Sequence, residues 1–276
     1  MKSPIKWHGG KSYLAKKIVD LLPQRDGERP WYLWREPFFG GGAVTLAIDP
    51  DGLSEAVNDV HGELINFWRV LQSTPDRMLH ALWGTPLSEK MFQDAQNFAN
   101  HPDAVQRATS FFVRCRQSRQ GLMRDFATPT RRLRRGMNEN VSAWLSAVEG
   151  LPEVHERLKR IEIRNMDACE FIRKYDDPAA VFYCDPPYLH ETRSTGGGEY
   201  RHEMTERDHV RLLETLADIE GRFLLSGYRS DLYDTFSQRC GWHRVDFQID
   251  NKASGKRVKD VKTECVWMNY EPEIVK

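Results

Sequence analysis

Two hydrophobic periods alternate along the chain. Leu14, Ile18, Leu21 and Leu22 recur at helical spacing across residues 12–22, with Ser12 as the cap. Trp31 to Arg35 predicts the first core strand, ended by Glu36-Pro37, and Ala43–Ile48 reads as helical. Ser54–Asn58 predicts a second strand and Glu63–Leu71 another helix. Further on, Ile161–Asn165 restarts the sheet, Ala168–Lys174 is helical and Val181–Cys184 is a buried strand. A helix at His209–Asp218, a strand at Phe223–Gly227 and closing strands at Trp242–Ile249 and Thr263–Tyr270 complete the pattern. Such alternation at both ends predicts an α/β fold with a mostly parallel sheet. Residues 72–160 read instead as helical and polar, punctuated by Pro75, Pro86, Pro102, Pro129 and Pro152. The predicted organisation is therefore a sheet domain in two parts, 1–68 and 161–276, with residues 69–160 inserted.

The strand at 181–184 runs directly into Asp185-Pro186-Pro187-Tyr188. Two prolines cannot continue a sheet ladder, so the chain turns sharply and stiffly there. One carboxylate and one aromatic ring are left at the C-terminal edge of the sheet, where open α/β folds bind ligands. An exocyclic amino group on a nucleobase suits this corner. Asp185 and the Pro186 carbonyl would accept its two hydrogens while Tyr188 stacks on the base.

Gly40-Gly41-Gly42 follows the first predicted strand. A dinucleotide fingerprint would need a glycine where Thr45 stands, and a phosphate loop ending in Gly10-Lys11-Ser12 would need one at Ile5. Both phosphate readings fail. A glycine turn without those features fits S-adenosylmethionine, whose amino-acid tail passes close to backbone and carries no phosphate. Asp59 lies 19 residues after Gly40, at the end of the second predicted strand, where an acid holds ribose hydroxyls in Rossmann-like folds.

Composition narrows the setting. Net charge is zero, yet residues 107–135 hold nine arginines, one acid (Asp125) and no lysine. Arginine makes bidentate contacts to phosphate and guanine, so this basic segment predicts nucleic-acid contact confined to one surface. The five cysteines (115, 169, 184, 240, 265) are scattered without a CxxC pair, which predicts reduced thiols and neither disulfides nor a zinc site. No apolar stretch approaches ~18–20 residues and no signal-peptide core is visible, so a cytoplasmic protein without a membrane span is expected.

Lys6-Trp7-His8-Gly9-Gly10-Lys11, Arg35-Glu36-Pro37-Phe38-Phe39-Gly40-Gly41-Gly42-Ala43, Val57-Asn58-Asp59, Asn165-Met166-Asp167 and the DPPY motif stand in that order. Together they resemble the Dam-like, alpha-group (D12 class) DNA adenine-N6 methyltransferases. The resemblance covers roughly residues 4–68 and 161–270. It implies a Rossmann-like methyltransferase sheet carrying a mostly helical inserted target-recognition domain. It also implies methyl transfer from S-adenosylmethionine to adenine N6 in double-stranded DNA, leaving S-adenosylhomocysteine, in a bacterial or phage-encoded, metal-independent monomer. By resemblance Trp7, Gly10 and Lys11 contact the cofactor, and Glu36, Phe38, Gly40 and Gly42 line its methionine part. Asp59 holds the ribose, Asp167 accepts from its adenine amino group, and Asp185 faces both cofactor and target amine. Asp185, Pro186, Pro187 and Tyr188 form the catalytic set, and Arg116, Arg119, Arg124, Arg131 and Arg134 are the candidate DNA contacts. His8 and the third consecutive glycine depart modestly from the family pattern.

Other readings stay open on sequence alone: methylation of RNA or of a protein glutamine amide, or a non-catalytic DNA-binding module. Cytosine N4 methylation uses similar chemistry, but that group more often carries serine where Asp185 stands. The segment from Leu189 to His202 contains Gly196-Gly197-Gly198 and is expected to order around a flipped base.

Overall fold

A computed structural model describes residues 1–189, 203–250 and 261–273. The chain order begins with α1 (Ala15–Val19), β1 (Leu33–Glu36), β2 (Ser54–Asn58) and α2 (Gly62–Ser73). Then come α3 (Pro75–Trp83), α4 (Glu89–Asn97), α5 (Ala104–Gln117), a 3₁₀ turn (Arg119–Gly121), β3 (Leu133–Arg134) and β4 (Met137–Asn138). α6 (Glu139–Glu149), α7 (Leu151–Leu158), β5 (Ile161–Arg164), α8 (Ala168–Lys174) and β6 (Ala180–Cys184) follow. The chain closes with α9 (Glu206–Asp218), β7 (Arg222–Tyr228), α10 (Asp231–Cys240), β8 (His243–Asp250) and β9 (Val261–Met268). Two compact units emerge: Met1–Val19, Gly40–Asp49 and Asp59–Asn165 form the first, and Asp20–Phe39, Pro50–Asn58 and Met166–Lys276 the second.

In the second unit six strands lie in the order β2-β1-β6-β7-β9-β8. β2, β1, β6 and β7 run parallel, while β9 is antiparallel to both β7 and β8. Strands buried on both faces read as continuous apolar runs, and β6 (Ala-Val-Phe-Tyr-Cys) is buried at every position. Ala180, Phe182 and Cys184 join Phe223, Leu225, Cys265 and Trp267 in one core layer under Leu212, Leu216 and Phe236 of the helices. Tyr183 points to the opposite face, stacked on Trp34 with centroids 6.4 Å apart. β1 connects onward to β2 on one side and β6 to β7 on the other. The β1–β6 boundary is therefore the switch point at which open α/β sheets hold their ligands.

The first unit is mainly helical. α2 and α5 pack through Phe67 and Phe112, whose rings stack at 5.8 Å, and Phe112 also meets Trp144 of α6 at 5.5 Å. β3 and β4 form a two-stranded hairpin, with Arg134 opposite Met137. Its two turn residues, Arg135 (φ 55°) and Gly136 (φ 73°), both have positive φ, as a tight hairpin turn requires.

Three sequence expectations are corrected, and one helix is new. The helix over 12–22 shortens to Ala15–Val19, because Pro23 disfavours helical backbone at Leu22. The first strand starts two residues later, since Trp31 is held in the preceding loop by its indole N–H donating to the Pro23 carbonyl at 2.8 Å. Ala43–Ile48 makes one turn only, with Val44 O accepting from Ala47 N (2.9 Å) and Ile48 N (3.1 Å), and stops ahead of Pro50. Helix α10, not anticipated, is capped by Ser230 and ended by Gly241 in the left-handed region. Apart from Leu189, the segment expected to order around a base lies outside the described residues.

Candidate active site

The second unit builds a carboxylate-rich corner. Arg35 of β1 is in register with Phe182 of β6, so Glu36 and Asp185 emerge at the C-terminal ends of neighbouring parallel strands. Glu36 is 2% exposed, Asp185 is half-buried and Tyr188 is 7% exposed. The Tyr188 hydroxyl lies 3.3 Å from Asp185 Oδ1 and donates to Glu264 Oε1. The Tyr188 ring stands edge-on to Tyr228, centroids 4.7 Å apart. Burial first, then the charges of Asp185 and Glu264, push Tyr188 well above the ordinary phenol range. The neighbouring Tyr183 is raised by burial and then by Asp185, and its hydroxyl meets Ser226 Oγ at 3.0 Å. Both phenols therefore stay protonated at neutral pH.

Glu264 was not anticipated from sequence. An acid directly before the apolar Cys265–Met268 stretch of β9 was the available signal, because a buried ionisable group needs a partner. Asn58 was also missed. Its amide donates to Pro37 O (3.1 Å) and Met166 O (3.0 Å) and its Oδ1 accepts from Met166 N (2.9 Å). The ends of β1 and β2 are thereby tied to the segment that carries Asp167. Asp167 itself caps α8, accepting from Glu170 N at 3.1 Å, and pairs with Arg211.

The first unit holds the glycine turn. Gly40 (φ 47°) and Gly42 (φ 68°) occupy the left-handed region. Asp59 Oδ2 accepts from Gly40 N at 2.9 Å, and Trp68 Nε1 donates to Gly40 O at 3.1 Å. A Cβ at Gly40 would lie 2.8 Å from the Trp7 indole. Trp7 in turn meets the edge of His61 at 5.7 Å and tilts on Phe111 of α5 at 6.2 Å. Lys11 is buried, its ammonium donating to Gly9 O at 2.9 Å, and Gly10 N closes a turn onto Trp7 O at 3.1 Å. Trp7, Gly10, Lys11, Gly40, Gly42 and Asp59 thus gather in this unit, while Glu36, Phe38, Asp167 and Asp185 belong to the other.

The arginines divide by environment. Arg114 is buried against Glu63 at 2.8 Å, and Arg107 donates to the carbonyls of His101 and Pro102. Arg116 donates to Ala143 O at 2.8 Å, and burial lowers it to about 10. Arg119, Arg124, Arg131, Arg132 and Arg134 are exposed, the last three flanking exposed Leu133 at the hairpin. Arg135, also exposed, pairs with Glu149 at 3.0 Å.

Residues 7–250 match the family described as D12 class N6 adenine-specific DNA methyltransferase. The chain belongs to that family. Similar curated proteins include a type II methyltransferase of Lactococcus lactis subsp. cremoris, 24% identical over 96% of this chain and 94% of its own length. The DNA adenine methylase of Escherichia coli (strain K12) is 24% identical over 98% of this chain and 96% of its own. A DNA N-6-adenine-methyltransferase of Escherichia phage P1 is 30% identical over 80% of this chain but only 28% of its own. The enzyme is an S-adenosylmethionine-dependent DNA adenine-N6 methyltransferase, and DNA is its substrate. Among the described residues no helix is long and apolar enough to cross a membrane, and no cluster of three His, Cys, Asp or Glu could hold a metal ion.

Proposed function

We propose that Asp185, Pro186, Pro187 and Tyr188 are the catalytic corner of this methyltransferase, and that the glycine turn with Trp7, Gly10 and Lys11 holds the cofactor. The position of Asp185 at the β1–β6 switch point, beside buried Glu36, carries the reading. The glycine turn fits the cofactor. A Cβ at Gly40 would strike the Trp7 indole, so glycine there is what lets Trp7 lie directly against the turn. Lys11 would face the ligand's carboxylate, Glu36 and Phe38 its amino-acid tail, Asp59 the ribose and Asp167 the adenine amino group. When bound, S-adenosylmethionine supplies an activated sulfonium methyl.

The adenine N6 lone pair is delocalised into its ring and attacks poorly. Asp185 and the Pro186 carbonyl would accept the two amino hydrogens, favouring a pyramidal nitrogen and stabilising the charge that develops on it. The prolines fix that geometry, and positioning for in-line displacement can be worth roughly 7–11 kcal/mol. A base in a duplex cannot reach such a corner, so the target is flipped out and engages Tyr188.

Residues 69–160 supply target recognition in this reading. The exposed Arg119, Arg124, Arg131 and Arg134 are the DNA contacts, and Arg116 supports the segment from within. The enzyme acts as a cytoplasmic monomer in a bacterial or phage-infected cell. The test is methyl transfer to an oligonucleotide duplex by wild type and Asp185→Ala. The variant should bind cofactor and DNA but transfer no methyl, and activity within tenfold of wild type overturns the assignment.

A further inference from the structure

Tyr188 has one hydroxyl proton and two carboxylates within reach. The approach to Asp185 Oδ1, at 3.3 Å, is longer than an ordinary O–H···O bond, whereas Glu264 Oε1 accepts the proton. Glu264 is 1% exposed and stands directly opposite Tyr228 in the β7–β9 ladder. Tyr228 in turn braces the Tyr188 ring. Resting on the assignment of Asp185 above, we propose that Glu264 is a positioning residue. It draws the Tyr188 hydroxyl proton away from Asp185 and so leaves that carboxylate as acceptor for the substrate amino group.

The competition follows from chemistry. A hydrogen bond from Tyr188 into Asp185 would occupy an acceptor oxygen and withdraw electron density from the group that must stabilise a developing cation. Tyr183, the other phenol at the corner, meets Ser226 and does not compete. In this proposal Glu264 acts on the substrate amine through Tyr188 and Asp185.

The test is a rescue. Glu264→Gln preserves shape but offers an amide, a weaker acceptor than a carboxylate, so the Tyr188 hydroxyl turns toward Asp185. We expect kcat at saturating DNA and cofactor to fall at least fivefold with unchanged folding, and a smaller fall overturns the inference. Adding Tyr188→Phe removes the competing donor and should return at least threefold of the lost kcat. A purely structural Glu264 predicts that the second substitution removes one more contact and makes matters worse, so a smaller return also overturns it. Should Glu264→Gln not fold, Glu264→Met with and without Tyr188→Phe carries the same comparison. Asp185→Ala is assayed in parallel. If it retains methyl transfer, the assignment of Asp185 is at fault. If it is inactive and Tyr188→Phe still fails to rescue, the role of Glu264 alone is refuted.

Discussion

Asp59 clasps Gly40. Its Oδ2 accepts the Gly40 amide at 2.9 Å across 19 residues of chain, and its Oδ1 accepts the amide of His61 at 2.9 Å. The acid proposed for the ribose is therefore also the fastener of the glycine turn. Hydrogen bonds to a charged acceptor contribute ~1.5–3 kcal/mol. Asp59→Ala should lower thermal stability by an amount in that range and weaken cofactor binding together. Calorimetric binding with a melting curve checks both, and a loss of binding without loss of stability would leave only the ribose role.

Gly40→Ala tests the turn itself. The new methyl would meet the Trp7 indole at 2.8 Å on backbone with positive φ. Strain of this kind costs roughly 1–3 kcal/mol, and the KM for S-adenosylmethionine should rise tenfold or more. Gly52→Ala is the control, because its φ is also positive (68°) but its Cβ would meet nothing within 4 Å. It should lose a little stability and leave that KM alone.

Tyr188→Ala should lose most activity, since base–aromatic stacking is worth ~1–3 kcal/mol and the corner also loses its brace against Tyr228. Tyr188→Phe keeps the ring and should retain much of it. Single-turnover methyl transfer separates the two, and equal losses would place the role in the hydroxyl.

The exposed and internal arginines should part company. Alanine at Arg131 or Arg134 should weaken DNA binding without lowering the melting temperature. A lost phosphate contact reduces the salt slope by roughly one unit, and a lost base contact relaxes one position of the site by ~1–3 kcal/mol. Alanine at Arg114 removes the buried half of its ion pair with part-buried Glu63 and should cost stability first. Salt-dependent binding isotherms beside melting curves decide this, and melting losses at Arg131 would contradict it.

Alkaline pH should unfold the protein by a tyrosine route. Tyr183, Tyr188, Tyr233 and Tyr270 are all raised above the usual phenol value near 10, in each case first by burial. The folded state then holds these protons more tightly than the unfolded chain. The resulting stability is complete below about pH 10 and is lost as pH rises beyond it. The phenolate absorbance of these four should appear only as near-UV dichroism collapses, and their ionisation with the fold intact would contradict it.

The strands and helices with strong periodicity were legible in the sequence: Ser54–Asn58 and Ala168–Lys174 match their expected bounds. The failures have local causes. Pro23 and Pro50 stop helical turns that apolar spacing alone would extend. The hairpin at 133–138 rests on two-residue strands and on Arg135 with positive φ, a conformation no arginine announces. At the corner, Asp185 and Tyr188 were readable because two prolines mark the turn. Glu264 and Asn58 were not, because their roles depend on partners 76 and 108 residues away in the chain.

Gly121 has a φ of 79°, and a Cβ there would sit 2.3 Å from the Lys6 carbonyl, one residue before Trp7. Lys6 donates in turn to the Arg116 carbonyl at 3.2 Å. The segment that carries the basic hairpin is thus sewn to the strip that carries Trp7. A chimaera cut at 69 and 160 would import Arg116 and Gly121 and leave behind the Lys6 they meet. Grafts between relatives should succeed only when residues 1–19 travel with the insert, so retargeting such an enzyme is better begun with substitutions at the hairpin tip than by exchanging the whole segment.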